Sequence, residues 1–206
     1  MITLFIDTST DVLTVALFKD DALLDEISLA SKEHSKHALV EIEKIYNRNN
    51  IKPIDTKKVM VLNGPGSFTG IRIGVTIAKI FAWACKINVI PISTLKAYAI
   101  SNIKYDYYIP VIDARRNCSY ASIYDDKYNS ILGDSYIEDE HLINKIKDLN
   151  NVLIIGNKTL GDFNSVDLKL NTTRIFEYYK NDEGINPHQL NPYYLKKTEA
   201  EEKFGD

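Results

Sequence analysis

The chain has few of the residues that build covalent or metal-held frameworks. Two cysteines, Cys85 and Cys118, and four histidines are spread over 206 residues. The cysteines form neither a CxxC pair nor a zinc spacing, which excludes a disulfide scaffold, and they read as free, reduced thiols. Basic residues are not in excess: 25 Lys and Arg face 28 Asp and Glu, a formal net charge of -3. A stand-alone nucleic-acid binder would need a basic surface to neutralise phosphates, so the charge argues against one. A few Lys or Arg can still contribute to a shared surface. Long hydrophobic runs are missing as well. The most apolar stretch, Ile71 to Ala84, is broken by Arg72 and Lys79 and falls short of the roughly 20 residues a bilayer requires. Met1 leads straight into an apolar segment ending at Asp7, with no leader pattern, so no membrane association and a cytoplasmic location are expected. What remains, 45% hydrophobic and 26% charged residues, is ordinary for a soluble globular protein.

Patterning gives an α/β order. Ile2–Ile6, Val12–Phe18 and Ala22–Leu29 read as strands joined by polar turns. Ser35–Asn47 reads as a helix with Ala38, Leu39, Ile42, Ile45 and Tyr46 on one face. Val59–Leu62 is a short apolar strand, followed by a glycine turn and a helix from about Thr69 to Ala84. Val89–Pro91 is a further strand, and Ser93 is placed to cap a helix over Thr94–Ser101. Ile109–Tyr124 then repeats the N-terminus. Ile112-Asp113 matches Ile6-Asp7, and six residues separate Asp7 from Thr14 as six separate Asp113 from Tyr120. Val15-Ala16-Leu17-Phe18 then aligns with Ala121-Ser122-Ile123-Tyr124, which points to a duplicated architecture. The second half is thinner. Val152–Ile155 is its other clear strand, Asn181–Asn191 reads as a linker, and Pro192-Tyr193-Tyr194-Leu195 is apolar enough to dock back on the first lobe. These readings divide the chain into residues 1–100 plus 190–206 and a smaller lobe of 101–189.

The motif richest in content is Gly64-Pro65-Gly66-Ser67-Phe68-Thr69-Gly70-Ile71-Arg72-Ile73-Gly74, set between a strand and a helix. Such a turn offers free N–H groups at a helix N-terminus, a generic anion site. It fails the specific templates: no Lys follows as in a Walker A loop, and the third glycine comes one position late for the dinucleotide fingerprint. The plainer reading is a tight turn that needs glycine. With Asp7, Thr8 and Ser9, the residues Gly64, Gly66 and Ser67 make at most a vestigial phosphate loop. Asp7 and Asp113 invite a magnesium reading, but each also suits an Asp capping its own turn. His34 and His37 have a metal-pair spacing without a completing ligand, and read as solvated residues at a helix start. No Ser-His-Asp or Cys-His arrangement can be assigned. The paired basics Lys57-Lys58, Arg115-Arg116 and Lys196-Lys197 read as solvated surface.

The helix after the loop is the odder feature. On a helical wheel Arg72, Thr76, Lys79 and Trp83 fall on one stripe, and the rest is apolar or glycine over an arc of roughly 220°, about twice what one core-facing side requires. Gly70, Gly74, Ala78 and Ala82 form a row that allows close backbone approach. Either the helix is wholly buried in its own chain, or one face lies on its sheet and another on a partner. We favour the partner, because few elements remain to cover both sides.

These motifs resemble the bacterial TsaB (YeaZ) family. The resemblance rests on Ile6-Asp7-Thr8-Ser9, the Gly64–Gly74 block and Ile112-Asp113-Ala114-Arg115, with Glu33-His34, Ser93-Thr94-Leu95 and Pro192-Tyr193-Tyr194-Leu195 in the same order. It implies the actin-like, ribonuclease H-like (ASKHA) fold with two lobes, the second reduced, and here short between Asp125 and Asn191. It further implies a non-catalytic subunit that pairs with its paralogue TsaD. TsaD transfers threonylcarbamoyl to N6 of adenosine 37 in tRNAs reading ANN codons. The P-loop ATPase TsaE joins the assembly. ATP, Mg2+ and threonylcarbamoyl-adenylate are then used by partner subunits, with no cofactor or metal on this chain, and tRNA is met only through the complex. The expected contact is a helix pair presenting Leu39, Ile42, Tyr46, Gly70, Ile73, Gly74, Ile77, Ala78 and Phe81, and the same surface is expected to form homodimers of the isolated chain. The alternative is an ATP-binding kinase or ATPase that uses the inter-lobe cleft. An M22 peptidase, also associated with such proteins, finds no ligand set or nucleophile.

Overall fold

A computed structural model describes residues 1–31, 33–100 and 103–196. Ser101, the expected end of the third helix, Lys197 and the tail to 206 lie outside the described residues. Ten strands and five α-helices follow in order: β1 (Ile2–Asp7), β2 (Val12–Lys19), β3 (Ala22–Ala30), α1 (His34–Arg48), β4 (Thr56–Gly64), α2 (Phe68–Cys85), β5 (Val89–Ser93), α3 (Thr94–Ala99), β6 (Tyr107–Asp113), β7 (Cys118–Asp125), β8 (Ser130–Glu138), α4 (Asp139–Ile146), β9 (Val152–Gly156), β10 (Ser165–Val166) and α5 (Thr172–Tyr179).

The duplication is plain in the sheets. The first is ordered β3-β2-β1-β4-β5 and the second β10-β9-β6-β7-β8, the same topology read from opposite edges. Each starts with an antiparallel meander and adds parallel strands through crossovers. One element is lost in the second half. An α-helix joins β4 to β5, but among the described residues only a loop joins β9 to β10. The reduced lobe therefore lacks the counterpart of α2.

The repeat is offset by one residue from the sequence alignment. Asp7 pairs with Thr14, but Asp113 pairs with Ser119 rather than Tyr120, so Ala121 rather than Ser122 takes the place of Ala16. A one-residue slip exchanges the two faces of a strand. The turn after Asp113 is simply shorter, with Arg115, Arg116 and Asn117 all at positive φ.

Alternation along the strands fills both faces of the first sheet. Leu4, Ile6, Leu13, Val15, Leu17, Val59 and Val61 meet α1 and α2 on one side. Phe5, Ala16, Phe18, Met60 and Leu62 form the other, where Ile175 and Phe176 of α5 pack and the Phe176 ring stacks 4.3 Å from Phe18. The short α3 serves both halves: Ala97 belongs to the first core, whereas Tyr98 and Ala99 pack with Tyr108, Tyr124, Leu153 and Ile155 of the second sheet. The hydrophobic contacts therefore do not divide at 100/101 and 189/190, because α5, from the expected second lobe, seals the first sheet. The expected linker is also structured. Ile185 exchanges backbone hydrogen bonds with Val89 at 2.8 and 3.0 Å, and Leu190 is buried.

Candidate functional site: a filled glycine loop and an open helix face

The turn after β1 inserts into the glycine loop. Gly66 lies so close to Ser9 that an added Cβ would stand 2.3 Å from the Ser9 carbonyl, and at Gly70 it would stand 2.0 Å from that of Thr8. Two hydrogen bonds fix the contact, from Ser67 N–H to the Ser9 carbonyl (2.7 Å) and from the Thr8 hydroxyl to the Gly70 carbonyl (2.7 Å). Ser67 caps α2 by accepting from the Gly70 N–H at 3.2 Å. At Gly64 the crowding comes from Tyr193, whose carbonyl would lie 2.3 Å from a Cβ. The loop needs glycine because its own chain passes within contact distance, and the Ser67 N–H is already donated to the Ser9 carbonyl.

That segment docks on the first lobe. Tyr193 N–H donates to the Asn63 carbonyl at 2.7 Å, and Tyr194 stacks 4.6 Å from Phe68. Arg72 lies 3.9 Å from the Phe68 ring and donates to the Tyr194 hydroxyl at 2.8 Å, while Lys79 donates to the Leu190 carbonyl at 3.1 Å. Half of the polar stripe of α2 thus holds the tail instead of facing water alone.

Asp7 ends β1 fully buried. Its Oδ1 accepts from Ser9 N–H at 2.7 Å, and its Oδ2 has no hydrogen-bond partner among the described residues. Desolvation pushes its carboxyl up to about 6, with Ser9 and the His34 ring drawing it part of the way back. His34 corrects an expectation. It is buried, not solvated, and its Nε2 lies 2.6 Å from the Thr10 carbonyl, tying the start of α1 to the β1–β2 turn. His37 has no metal site to join: no group of three His, Cys, Asp or Glu side chains is placed to hold an ion among the described residues. Asp113 differs from Asp7. It is exposed, accepts from Arg115 N–H at 3.0 Å, and pairs with Lys158 at 3.3 Å, an ammonium that also pairs with Asp139. The two carboxylates that sequence made equivalent therefore sit in opposite environments.

The second candidate feature is the helix pair. Of the nine residues expected on its partner face, five point inward. Ala78 is fully buried, Tyr46 bonds Thr56 at 2.6 Å beneath the helices, and Ile42 joins the core. A Cβ on Gly74 would lie 2.4 Å from the Thr8 hydroxyl, and Gly70 is crowded as described. The small-residue row is thus spent on β1, not on another molecule. Ile73, Ile77 and Phe81 are half-buried at the edge of the core, and Leu39 is 61% exposed. Two residues outside the expected nine are as open as Leu39: Ile80 at 60% and Trp83 at 62% exposed. Ile80 follows Ile73 and Ile77 along one side of α2, and Trp83 lies three residues further on, flanked by exposed Thr76. Trp83 was assigned to the polar stripe by the wheel, but Arg72 and Lys79 bend to the tail and leave it with Ile80. By length and composition alone Phe68–Cys85 is long enough to cross a bilayer, unlike the shorter stretch judged from sequence. Its capped end and six buried residues instead place it as a sheet-packed helix.

Comparison with known proteins converges on one family. A family model described as TsaD, tRNA N6-adenosine threonylcarbamoyltransferase, matches residues 28–172. The tRNA threonylcarbamoyladenosine biosynthesis protein TsaB of Bacillus subtilis is 31% identical over 99% of this chain and 98% of its own length. Among solved structures, a Pseudomonas aeruginosa protein described as similar to peptidase YeaZ superposes with a TM-score of 0.81 at 19% identity, covering 95% of this chain and 99% of that one. YeaZ from Pseudomonas aeruginosa gives 0.78 at 20% identity, covering 94% and 99%. These likenesses carry the ASKHA-type fold, and the full-length match to TsaB carries the rest: the chain belongs to the TsaB (YeaZ) family of tRNA threonylcarbamoyladenosine biosynthesis proteins.

Proposed function

We propose that this chain is a non-catalytic subunit that pairs with a TsaD-type paralogue and is required for N6-threonylcarbamoylation of adenosine 37 in tRNAs reading ANN codons. The observation that supports the reading best is the apolar exposure of α2, with Ile80 and Trp83 open and Ile73 and Ile77 half-buried, together with open Leu39 on the neighbouring α1. A lone exposed apolar residue needs no explanation, but several large ones on an otherwise capped and docked helix suit a protein interface. In this reading the isolated chain self-associates through the same face in the cytoplasm, and TsaE, tRNA, ATP, Mg2+ and threonylcarbamoyl-adenylate are engaged by the assembled partners. The filled glycine loop and the lysine on Asp113 give no support to the alternative, a kinase or ATPase acting in the cleft.

The test is co-purification with the cognate TsaD, followed by assay of modified nucleoside. Ile80→Asp leaves the core untouched and places a charge on that face. It is expected to weaken complex formation at least tenfold, about 1.4 kcal/mol or more, and to abolish modification at low protein concentration. Wild-type recovery of the complex by Ile80→Asp together with Trp83→Ala would refute the assignment. Gly74 is a poor probe, since any side chain there collides with Thr8.

A further inference from the structure

The angle between the lobes is left unassigned by the reading above. β8, the edge strand of the second sheet, breaks its ladder with β7 in two adjacent places, and at the first Ala121 pairs with Ser135 and Ile123 with Leu132, so Gly133 and Asp134 together oppose Ser122 alone. A bulge of this kind bends the strand and re-aims a side chain, and Gly133 has open space around it. The side chain it aims is Asp134. One carboxylate oxygen accepts from the Ser122 hydroxyl at 2.6 Å and from the Tyr124 hydroxyl at 3.2 Å, both within the second sheet. The other accepts from the hydroxyl of Ser93, at the end of β5 in the first sheet. Ser93 is also the N-cap of α3, accepting from Lys96 N–H at 3.2 Å. One turn further, the Lys96 ammonium bonds the Tyr128 carbonyl and lies 4.6 Å from the Tyr124 ring and 5.0 Å from that of Tyr178.

We propose that Asp134 is a latch: the β8 bulge presents its carboxylate to the Ser93 cap, and this contact, backed by Lys96, fixes the two lobes in one relative orientation. Three hydroxyl donors to one carboxylate make a charge-assisted set stronger than neutral hydrogen bonds. The set spans the sheets through α3, whose apolar residues are divided between them. The orientation is therefore set by side chains of this chain itself. Asp134 is a positioning residue in this role.

Hydrogen exchange of the full chain, read by mass spectrometry, tests the proposal in both directions. Asp134→Ala alters only the second lobe, yet it is expected to speed amide exchange in α3 of the first by about tenfold, the scale of one lost charge-assisted bond. Ser93→Asp keeps a good N-cap residue on α3 but sets two carboxylates against each other. It is expected to speed exchange across 131–137 and in α3 by a similar factor, and small-angle scattering is expected to report a larger radius of gyration for both variants. If Asp134→Ala loosens β7 and β8 alone, or if Ser93→Asp leaves 131–137 unchanged, the latch is refuted. Should Asp134→Ala fail to fold, Ser93→Asp still decides.

Discussion

Replacing Asp7 by Asn separates a buried structural carboxyl from a working one. In the folded chain the carboxyl is raised from its ordinary 3.8 to about 6 by desolvation, with Ser9 and the His34 ring opposing the shift. The folded state therefore holds a proton that the unfolded chain releases, and stability falls as pH rises through that window. Below 3.8 both states are protonated and nothing is lost. Above about 6 both are ionised, and the folded protein bears the full cost of a buried charge. A difference of about 2 pH units at about 1.4 kcal/mol each sets that cost near 3 kcal/mol. Asn removes it and keeps the acceptor for the Ser9 N–H. The measurement is urea unfolding of both proteins from pH 4 to 8. The stability of the variant minus that of the wild type is expected to climb by up to about 3 kcal/mol between pH 4 and pH 7 and then level off. Subtraction cancels the carboxylates common to both. A difference that stays flat, or that falls with pH, would refute the reasoning. So would a variant of unchanged stability that no longer supports nucleoside modification, because the Asp7 carboxylate would then have a chemical role.

Two further substitutions probe how the site is built. Gly70→Ala forces a Cβ to 2.0 Å from the Thr8 carbonyl, a backbone atom that cannot swing aside. The expected loss is about 2–4 kcal/mol, visible as a lower urea midpoint; a midpoint within error of wild type would show that the loop tolerates distance from β1. Phe176→Ala empties the stack on Phe18 and should cost about 3–5 kcal/mol, whereas a loss below about 1 kcal/mol would mean that α5 does not seal the first sheet.

The nine residues of the expected face show where the sequence pattern stopped being informative. A helical wheel gives the width of an apolar arc but not which part of it meets the sheet. The apolar arc of α2 is about twice what one side needs; Ile80, within it, is open, and so is Trp83, which lies outside it. The wheel placed Trp83 among polar neighbours because it could not know that Arg72 and Lys79 would reach for Tyr194 and Leu190. The glycines were legible as close approaches, but their neighbour was not: Thr8 and Ser9 lie some sixty residues upstream, and only the β1–β4 pairing brings them there. β8 escaped notice because Gly133-Asp134 interrupts its alternation, and that bulge is the point at which it serves the fold.

Sequence by itself determined the order of strands and helices in the first half, the doubling of the strand–turn–strand unit and the family, because periodicity and short motifs are local properties of a chain. Tertiary structure alone decided that Asp7 is buried while Asp113 is paired with Lys158. It also decided that α5 and α3 cross between the halves, and that the open face of α2 runs through Ile80 and Trp83. Those outcomes depend on which distant segment covers a residue, and burial is set by neighbours in space, not by neighbours in sequence.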